Sequence, residues 1–363
     1  MLWRVLISRQ RENKKMIDYK KIIKIDGREM SRNFIAKLNL EERLGLVEPI
    51  FKYFRELGWM LPEMDERKFL NSYDKLKYKH VDVEWEDYYN NSSLATDICQ
   101  YFCRESYFST KERGGLSLKE VFMSDELLVK VIKNRLGLSW YDSEPKSTFN
   151  LTPKMVMYQG PRSMRLVSQI TMFKPFIAKI IFSKFSNKND VVYDFSAGFG
   201  GRFLGAVSCG RKYIGVDPLT CDEVNAMGDF LGVSPVSSDG IVYNDCSENF
   251  NYGENTIDMA FSSPPYYDQE YYSDSIRQAY NSGEDYFYNV YWLNTVDNVY
   301  KMLKKDKVMA VNLRKGDQRM LDVVTDKFGK CVDIFRLRTV RSHLNKTGKD
   351  NAQKYEPVFI FKK

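Results

Sequence analysis

The sequence predicts an α/β fold, with a mostly parallel sheet covered by helices and a largely helical region ahead of it. Three observations carry this. From residue 146 onward, apolar β-rich runs alternate with helical stretches, the rhythm of a parallel sheet. One of those runs, in "VVYDFSAGFGGR", opens into glycines just before a helical stretch, as a βα turn does. Ahead of residue 145, apolar residues recur at helical spacing among charges instead.

The elements follow in order. "NLEERLGLVEPIFKYFRELGW" carries an apolar stripe at Leu44, Leu46, Ile50, Phe51, Phe54 and Leu57, with Asn39 as N-cap. "YKHVDVEWEDYY" alternates as a strand does. "SDELLVKVIKNRLG" reads as a short helix with Ser124 as cap and Gly137 as stop. "LSWYDSEPKSTFNLTPKM" is rich in turn formers, and a domain boundary is expected there, between 1–145 and 146–363. "MFKPFIAKIIFSKF" reads as a helix with Pro175 in its first turn. "DVVYDFSAGFGGRFLGAVSCGRKYIGVDPL" reads as strand, glycine loop, helix, Gly210 stop and second strand. "TIDMAFSSPPYY" is a buried strand, "DYFYNVYWLNTVDNVYKML" a long helix, and "KVMAVNL" and "KYEPVFIFKK" the last strands.

At 363 residues with 43% apolar content, the chain has material for two domains or for one large domain with an extension. A net charge of +7 permits a polyanionic partner without demanding one. Six cysteines without a recurring CxxC, and only two histidines, argue against a structural zinc site. Cysteines so sparse fit a reducing compartment. No apolar run approaches a membrane-spanning length, and "MLWRVLISRQRENKKM" is too interrupted for a secretory segment. The expectation is a soluble cytoplasmic protein; its oligomeric state is not legible.

Four motifs bear chemistry. In "DFSAGFGG", Asp194 ends a strand, and Ser196, Ala197, Gly198 and Gly200 form a loop where backbone can approach a ligand at a helix start. Asp217 in "GVDP" follows at the end of the next strand, where an acid suits a ribose diol. This pair fits both NAD and S-adenosylmethionine (SAM). Asp245 in "VYNDCSENF" is a third acid, read either as an acceptor for an adenine amine or as a solvated loop residue. Ser263-Pro264-Pro265-Tyr266 ends the next strand, beside the expected ligand crevice. Alone, that tetrapeptide is open between a stiff strand exit and a site.

Taken in order, "DFSAGFGG", "GVD", "ND" and "SPPY" resemble the SAM-dependent amino-methyltransferases that modify exocyclic base amines in DNA. The resemblance covers about residues 150 to 363 and implies a Rossmann-like methyltransferase domain, SAM as cofactor and base flipping from double-stranded DNA. It implies a catalytic role for Ser263, Pro264, Pro265 and Tyr266. It implies cofactor contacts for Asp194, Ser196, Ala197, Gly198, Gly200, Asp217 and Asp245, with Phe173 and Pro175 of "MFKPF" against the methionine moiety. The loop departs from the family's usual Asp-Pro-Phe opening, and "MLKKDKVMAVNL" lacks its Pro-Gly-Gly turn. Family members headed by Ser lean toward cytosine N4, with adenine N6 close behind.

The tetrapeptide's chemistry suits that reaction. The lone pair of an exocyclic amine is delocalised into its ring, and acceptors on the amine hydrogens favour a more nucleophilic nitrogen. The Ser263 hydroxyl and Pro264 carbonyl are two such acceptors, and consecutive prolines make a rigid frame. Tyr266 offers a face for an extruded base.

The motif order leaves residues 1–145 as the expected target-recognition region, together with the segment holding Tyr267, Tyr271, Tyr272 and Tyr280. Those tyrosines are open between packing and base stacking. The basic runs "VNLRKGDQR" and "RLRTVRSHLNKTGK" are open between phosphate contacts and solvated loops. The alternatives are an RNA base methyltransferase, a nucleic-acid-binding protein without turnover, and an NAD-dependent oxidoreductase, which leaves SPPY unexplained.

Overall fold

A computed structural model describes residues 18–82, 87–88, 92–138, 149–168, 170–236, 240–267, 269–313, 317–338 and 355–363. Two compact units emerge, and neither is continuous in sequence. One comprises Met1–Glu63 and Leu116–Ser168, the other Met64–Gly115 and Gln169–Lys363. The boundary expected at 145/146 lies outside the described residues, but chain on both sides of it belongs to the first unit.

The first unit is largely helical, as expected. Asn39 makes a reciprocal capping box with Glu42 at the start of helix Leu40–Gly45. Helix Val47–Leu57 follows and buries Ile50 and Phe54, whereas Leu44 of the expected stripe is exposed. The stripe misleads there because the helix breaks at Leu46, which caps both segments. Ser124 caps helix Asp125–Arg135, whose Leu128, Val131 and Ile132 are buried.

The second unit is built on an eight-stranded sheet. In chain order its strands are β1 (Asp87–Tyr88), β2 (Val191–Asp194), β3 (Lys212–Val216), β4 (Val242–Tyr243), β5 (Ile257–Ser262), β6 (Leu303–Asn312), β7 (Asp333–Arg338) and β8 (Tyr355–Lys362). They lie in the order β1-β7-β8-β6-β5-β2-β3-β4. β8 alone runs antiparallel, against β6 and β7; every other pairing is parallel. This is the predicted α/β architecture. In its Rossmann-like half, β4-β3-β2-β5-β6, the strands stay parallel while the order in which the chain lays them down reverses between β2 and β5, and such a switch point opens a crevice at the carboxyl ends of the strands. Every residue of β5 is buried, and its centre, Met259-Ala260-Phe261, reads as an unbroken apolar run.

Helices α1 (Pro175–Phe185), α2 (Gly201–Ser208), α3 (Cys221–Leu231), α4 (Leu293–Met302) and α5 (Gln318–Phe328) connect and cover the strands. Pro175 opens α1 at its first position, as predicted. The long helix expected before β6 exists, but a π-helical stretch, Phe287–Trp292, precedes α4.

The segment Met64–Gly115 was expected within an N-terminal region, and it packs instead against α1 and α3 of the sheet unit. Phe69 and Phe102 meet Phe230 of α3 at 6.4 and 5.5 Å between ring centres. The Lys179 ammonium on α1 donates to the carbonyls of Leu76, Lys77 and Lys79, each at 2.8 Å, capping helix Glu66–Tyr78. A buried cation at a helix carboxyl end offsets orphan carbonyls and dipole together. No helix among the described residues is long and apolar enough to cross a membrane.

Candidate active site

The carboxyl ends of β2, β3 and β5 converge on one cavity of about 460 Å³, within the range of small-molecule sites. Phe173, Ser196, Ala197, Gly198, Asp217, Asp245 and all of Ser263, Pro264, Pro265 and Tyr266 line it. The motifs are spread over nearly a hundred residues of chain, and the switch point brings them together.

Asp194, Pro175 and Gly200 are not among the lining residues. Asp194 is fully buried at the end of β2. Its carboxylate accepts from Arg202 Nε at 2.8 Å, Tyr213 Oη at 2.6 Å, Ser262 Oγ at 2.7 Å and the Ser196 N–H at 3.2 Å. Arg202 in turn donates to the Ser196 carbonyl. Asp194 therefore holds the glycine loop from behind, tying it to β3, to β5 and to α2. Gly200 caps α2 at a φ of +77°, a backbone region costly for other residues. Gly201 has a different reason: a Cβ there would lie 1.9 Å from the Phe173 carbonyl oxygen. Its hydrogen lets the "MFKPF" segment cross the loop and deliver Phe173 to the cavity wall.

Asp217 stands just past β3. One carboxylate oxygen accepts from the Gly198 N–H at 2.9 Å, and the other from the N–H groups of Leu219 and Thr220, both at 2.9 Å. Burial pushes its carboxyl upward, against the pull of those three donors. Asp245 accepts from the Cys246 N–H at 2.7 Å.

The tetrapeptide is positioned by register. β5 and β6 pair Ser262 with Val311, which sets Ser263 beside Asn312. The Ser263 hydroxyl donates to Asn312 Oδ1 at 3.2 Å, and Asn312 Nδ2 donates to the Pro357 carbonyl at 2.9 Å. Ser263 is thus oriented as a donor toward the sheet, and its oxygen lone pairs remain for a ligand. At the other end, the Tyr266 N–H donates to Glu270 Oε2 at 3.1 Å.

Sequence reasoning missed several lining groups: Arg202, Thr220, Glu248, Glu270, Arg277, Asn312 and Glu356. Burial raises the carboxyls of Glu248 and Glu356. Arg202 and Glu248 stand within "VVYDFSAGFGGR" and "VYNDCSENF", and Glu270 lies four residues past Tyr266. Of the tyrosines expected to pack or stack, Tyr280 is core: its hydroxyl accepts from the N–H groups of Tyr272 and Ser273 at 2.7 and 3.0 Å. Tyr267, Tyr271 and Tyr272 pack partly buried against the same core. Of the basic runs, residues 314–316 and 339–349, with His343, lie outside the described residues.

No family model matches the chain, and no curated protein matches it. Among solved structures it is similar to a tRNA (m1A58) methyltransferase from Aquifex aeolicus, at 13% identity over 53% of this chain and 70% of that one, with a TM-score of 0.36. A SAM-dependent O-methyltransferase from Thermotoga maritima matches at 13% over 59% and 72%, with a TM-score of 0.34. A TehB-like SAM-dependent methyltransferase from Corynebacterium glutamicum matches at 14% over 57% and 94%, also at 0.34. At TM-scores this low, the likeness carries no argument about reaction or substrate.

Proposed function

We propose that the chain transfers a methyl group from SAM to an exocyclic amine of a base in DNA, with cytosine N4 favoured over adenine N6. The observation that carries this is the meeting of Gly198 and Asp217 with Ser263, Pro264, Pro265 and Tyr266 around one cavity.

The lining suits the cofactor. Asp217, Asp245, Glu248, Glu270 and Glu356 outnumber Lys174, Arg202 and Arg277, so the walls favour a cation such as a sulfonium. When bound, SAM supplies an electrophilic methyl group. Asp217 is the acceptor for its ribose hydroxyls, because the carboxylate oxygen that takes only the Gly198 N–H keeps acceptor capacity. Asp245 and Phe173 line the same cavity, and we assign Asp245 to the adenine amine and Phe173 to the methionine moiety.

On the substrate side, Ser263 Oγ and the Pro264 carbonyl take the amine hydrogens and turn the nitrogen lone pair toward the methyl donor. Tyr266 supplies a stacking face for a base out of its helix. The same amine chemistry serves RNA, so the test has an arm for each polymer. Ser263→Ala should lower single-turnover methylation by roughly 10- to 1000-fold while SAM affinity stays near wild type, as for a group needed mainly in the transition state. A folded Ser263→Ala protein that methylates at the wild-type rate makes the tetrapeptide a strand exit and overturns the proposal.

A further inference from the structure

Two carboxyl groups flank the tetrapeptide, and neither belongs to a motif. Glu270 sits in a two-residue strand, Glu270–Tyr271, paired antiparallel with Lys111–Glu112. Its backbone N–H reaches the Tyr266 carbonyl at 3.4 Å, and its carboxylate accepts from the Tyr266 N–H at 3.1 Å. Glu270 is therefore pinned to the last residue of the tetrapeptide by both backbone and side chain. Glu356 comes from β8 and shares a hydrogen bond with Asn312, the residue that orients Ser263. Both line the cavity.

We propose that Glu270 is the proton acceptor of the transfer site and that Glu356 tunes it. This rests on the methyl-transfer reading above. An exocyclic amine is a poor acid until its nitrogen is alkylated. The nitrogen lone pair then forms the new N–C bond, the methyl's former bonding pair leaves with sulfur, and the nitrogen carries a positive charge. One N–H bond breaks with its electrons returning to nitrogen, and an O–H bond forms on the Glu270 carboxylate. That proton later passes to water, which resets the site. Ser263 Oγ and the Pro264 carbonyl can orient the amine, but both are weak bases; a carboxylate is a competent one.

The groups facing Glu270 set its titration. Burial pushes its carboxyl up to about 7; the Tyr266 N–H and the Tyr272 hydroxyl hold it down, and Glu356 and Glu112 push it further up. Tyr280 also feels Glu270, with Arg113 acting on Tyr280 in the opposite sense. The ionised form accepts the proton, so activity rises with pH through that value.

The test is the pH profile of single-turnover methylation with SAM in excess, using unmethylated genomic DNA and, separately, unmodified transcript RNA. Between about pH 5 and 9, the wild-type rate should rise with an apparent pKa near 7. Glu270→Gln should lose this rise and fall about 100-fold or more at its plateau, whereas Glu270→Asp should retain the rise. Glu356→Gln leaves Glu270 in place and, by removing a neighbouring negative charge, should move the rise to lower pH. Infrared titration of the chain without SAM should show a carboxyl band changing near pH 7 that disappears in Glu270→Gln. A wild-type profile in Glu270→Gln, or an unmoved rise in Glu356→Gln, overturns the inference and leaves methyl transfer standing. Absence of methyl transfer by the wild-type chain to either polymer overturns both.

Discussion

Asp194 offers the sharpest test of how the site is held. Asp194→Asn keeps the shape and removes the charge. Its partner Arg202 is 5% exposed, with Nε 2.8 Å from the carboxylate. Leaving one member of such a buried pair costs about 3–5 kcal/mol, because the remaining charge has no counter-charge and is shielded from water. The Tyr213 and Ser262 hydroxyls, at 2.6 and 2.7 Å, also compete for an amide with half the acceptor capacity. Those losses share one network, so they do not sum. The expected cost is about 3–5 kcal/mol of unfolding free energy, read by urea denaturation. Arg202→Met in the same chain removes the stranded charge, so the double variant should be less destabilised than the two single costs added. A loss below about 1 kcal/mol, or strict additivity, refutes the view of Asp194 as the buried anchor of the glycine loop.

Other outcomes follow from the same contacts. Asp217→Ala should weaken SAM binding by about 1–3 kcal/mol in calorimetry, since ligand hydroxyls lose their acceptor, with NAD as the control ligand; unchanged affinity defeats that assignment. Lys179→Met should uncap helix Glu66–Tyr78 and speed amide exchange across it, while amides of β5 stay protected; equal exchange in both proteins would mean the cap holds nothing in place.

Much of the α/β unit was legible because a parallel sheet buried on both faces writes its strands as apolar runs, as the Met259–Phe261 stretch of β5 does. The glycine loop, Asp217 and the tetrapeptide were legible because each terminates such a run, and strand ends at a switch point converge. What was hidden depends on register and on distant packing. Asn312 meets Ser263 only through the pairing of β5 with β6, and Glu356 arrives on a strand inserted antiparallel beside β6. Asp194 looked like a cofactor ligand because it opens the glycine loop, yet its carboxylate turns inward to Arg202 and Tyr213. Residues 64–115 look like any charged amphipathic stretch; the Phe230 contacts and the Lys179 cap, which assign them to the sheet unit, come from elements more than a hundred residues away. A truncation at residue 146 therefore removes part of the sheet unit's own packing.

The central claim is methyl transfer to an exocyclic amine of a nucleic-acid base. Its most direct test is mass spectrometry of nucleosides digested from DNA and RNA of cells expressing the chain, with Ser263→Ala expressed in parallel. The account predicts N4-methylcytosine, or failing that N6-methyladenine, in DNA with the wild-type chain and a strongly reduced amount with Ser263→Ala. The same amine mark confined to RNA would move the substrate and keep the chemistry. No amine-methylated base in either polymer, or equal amounts from the two proteins, would contradict it.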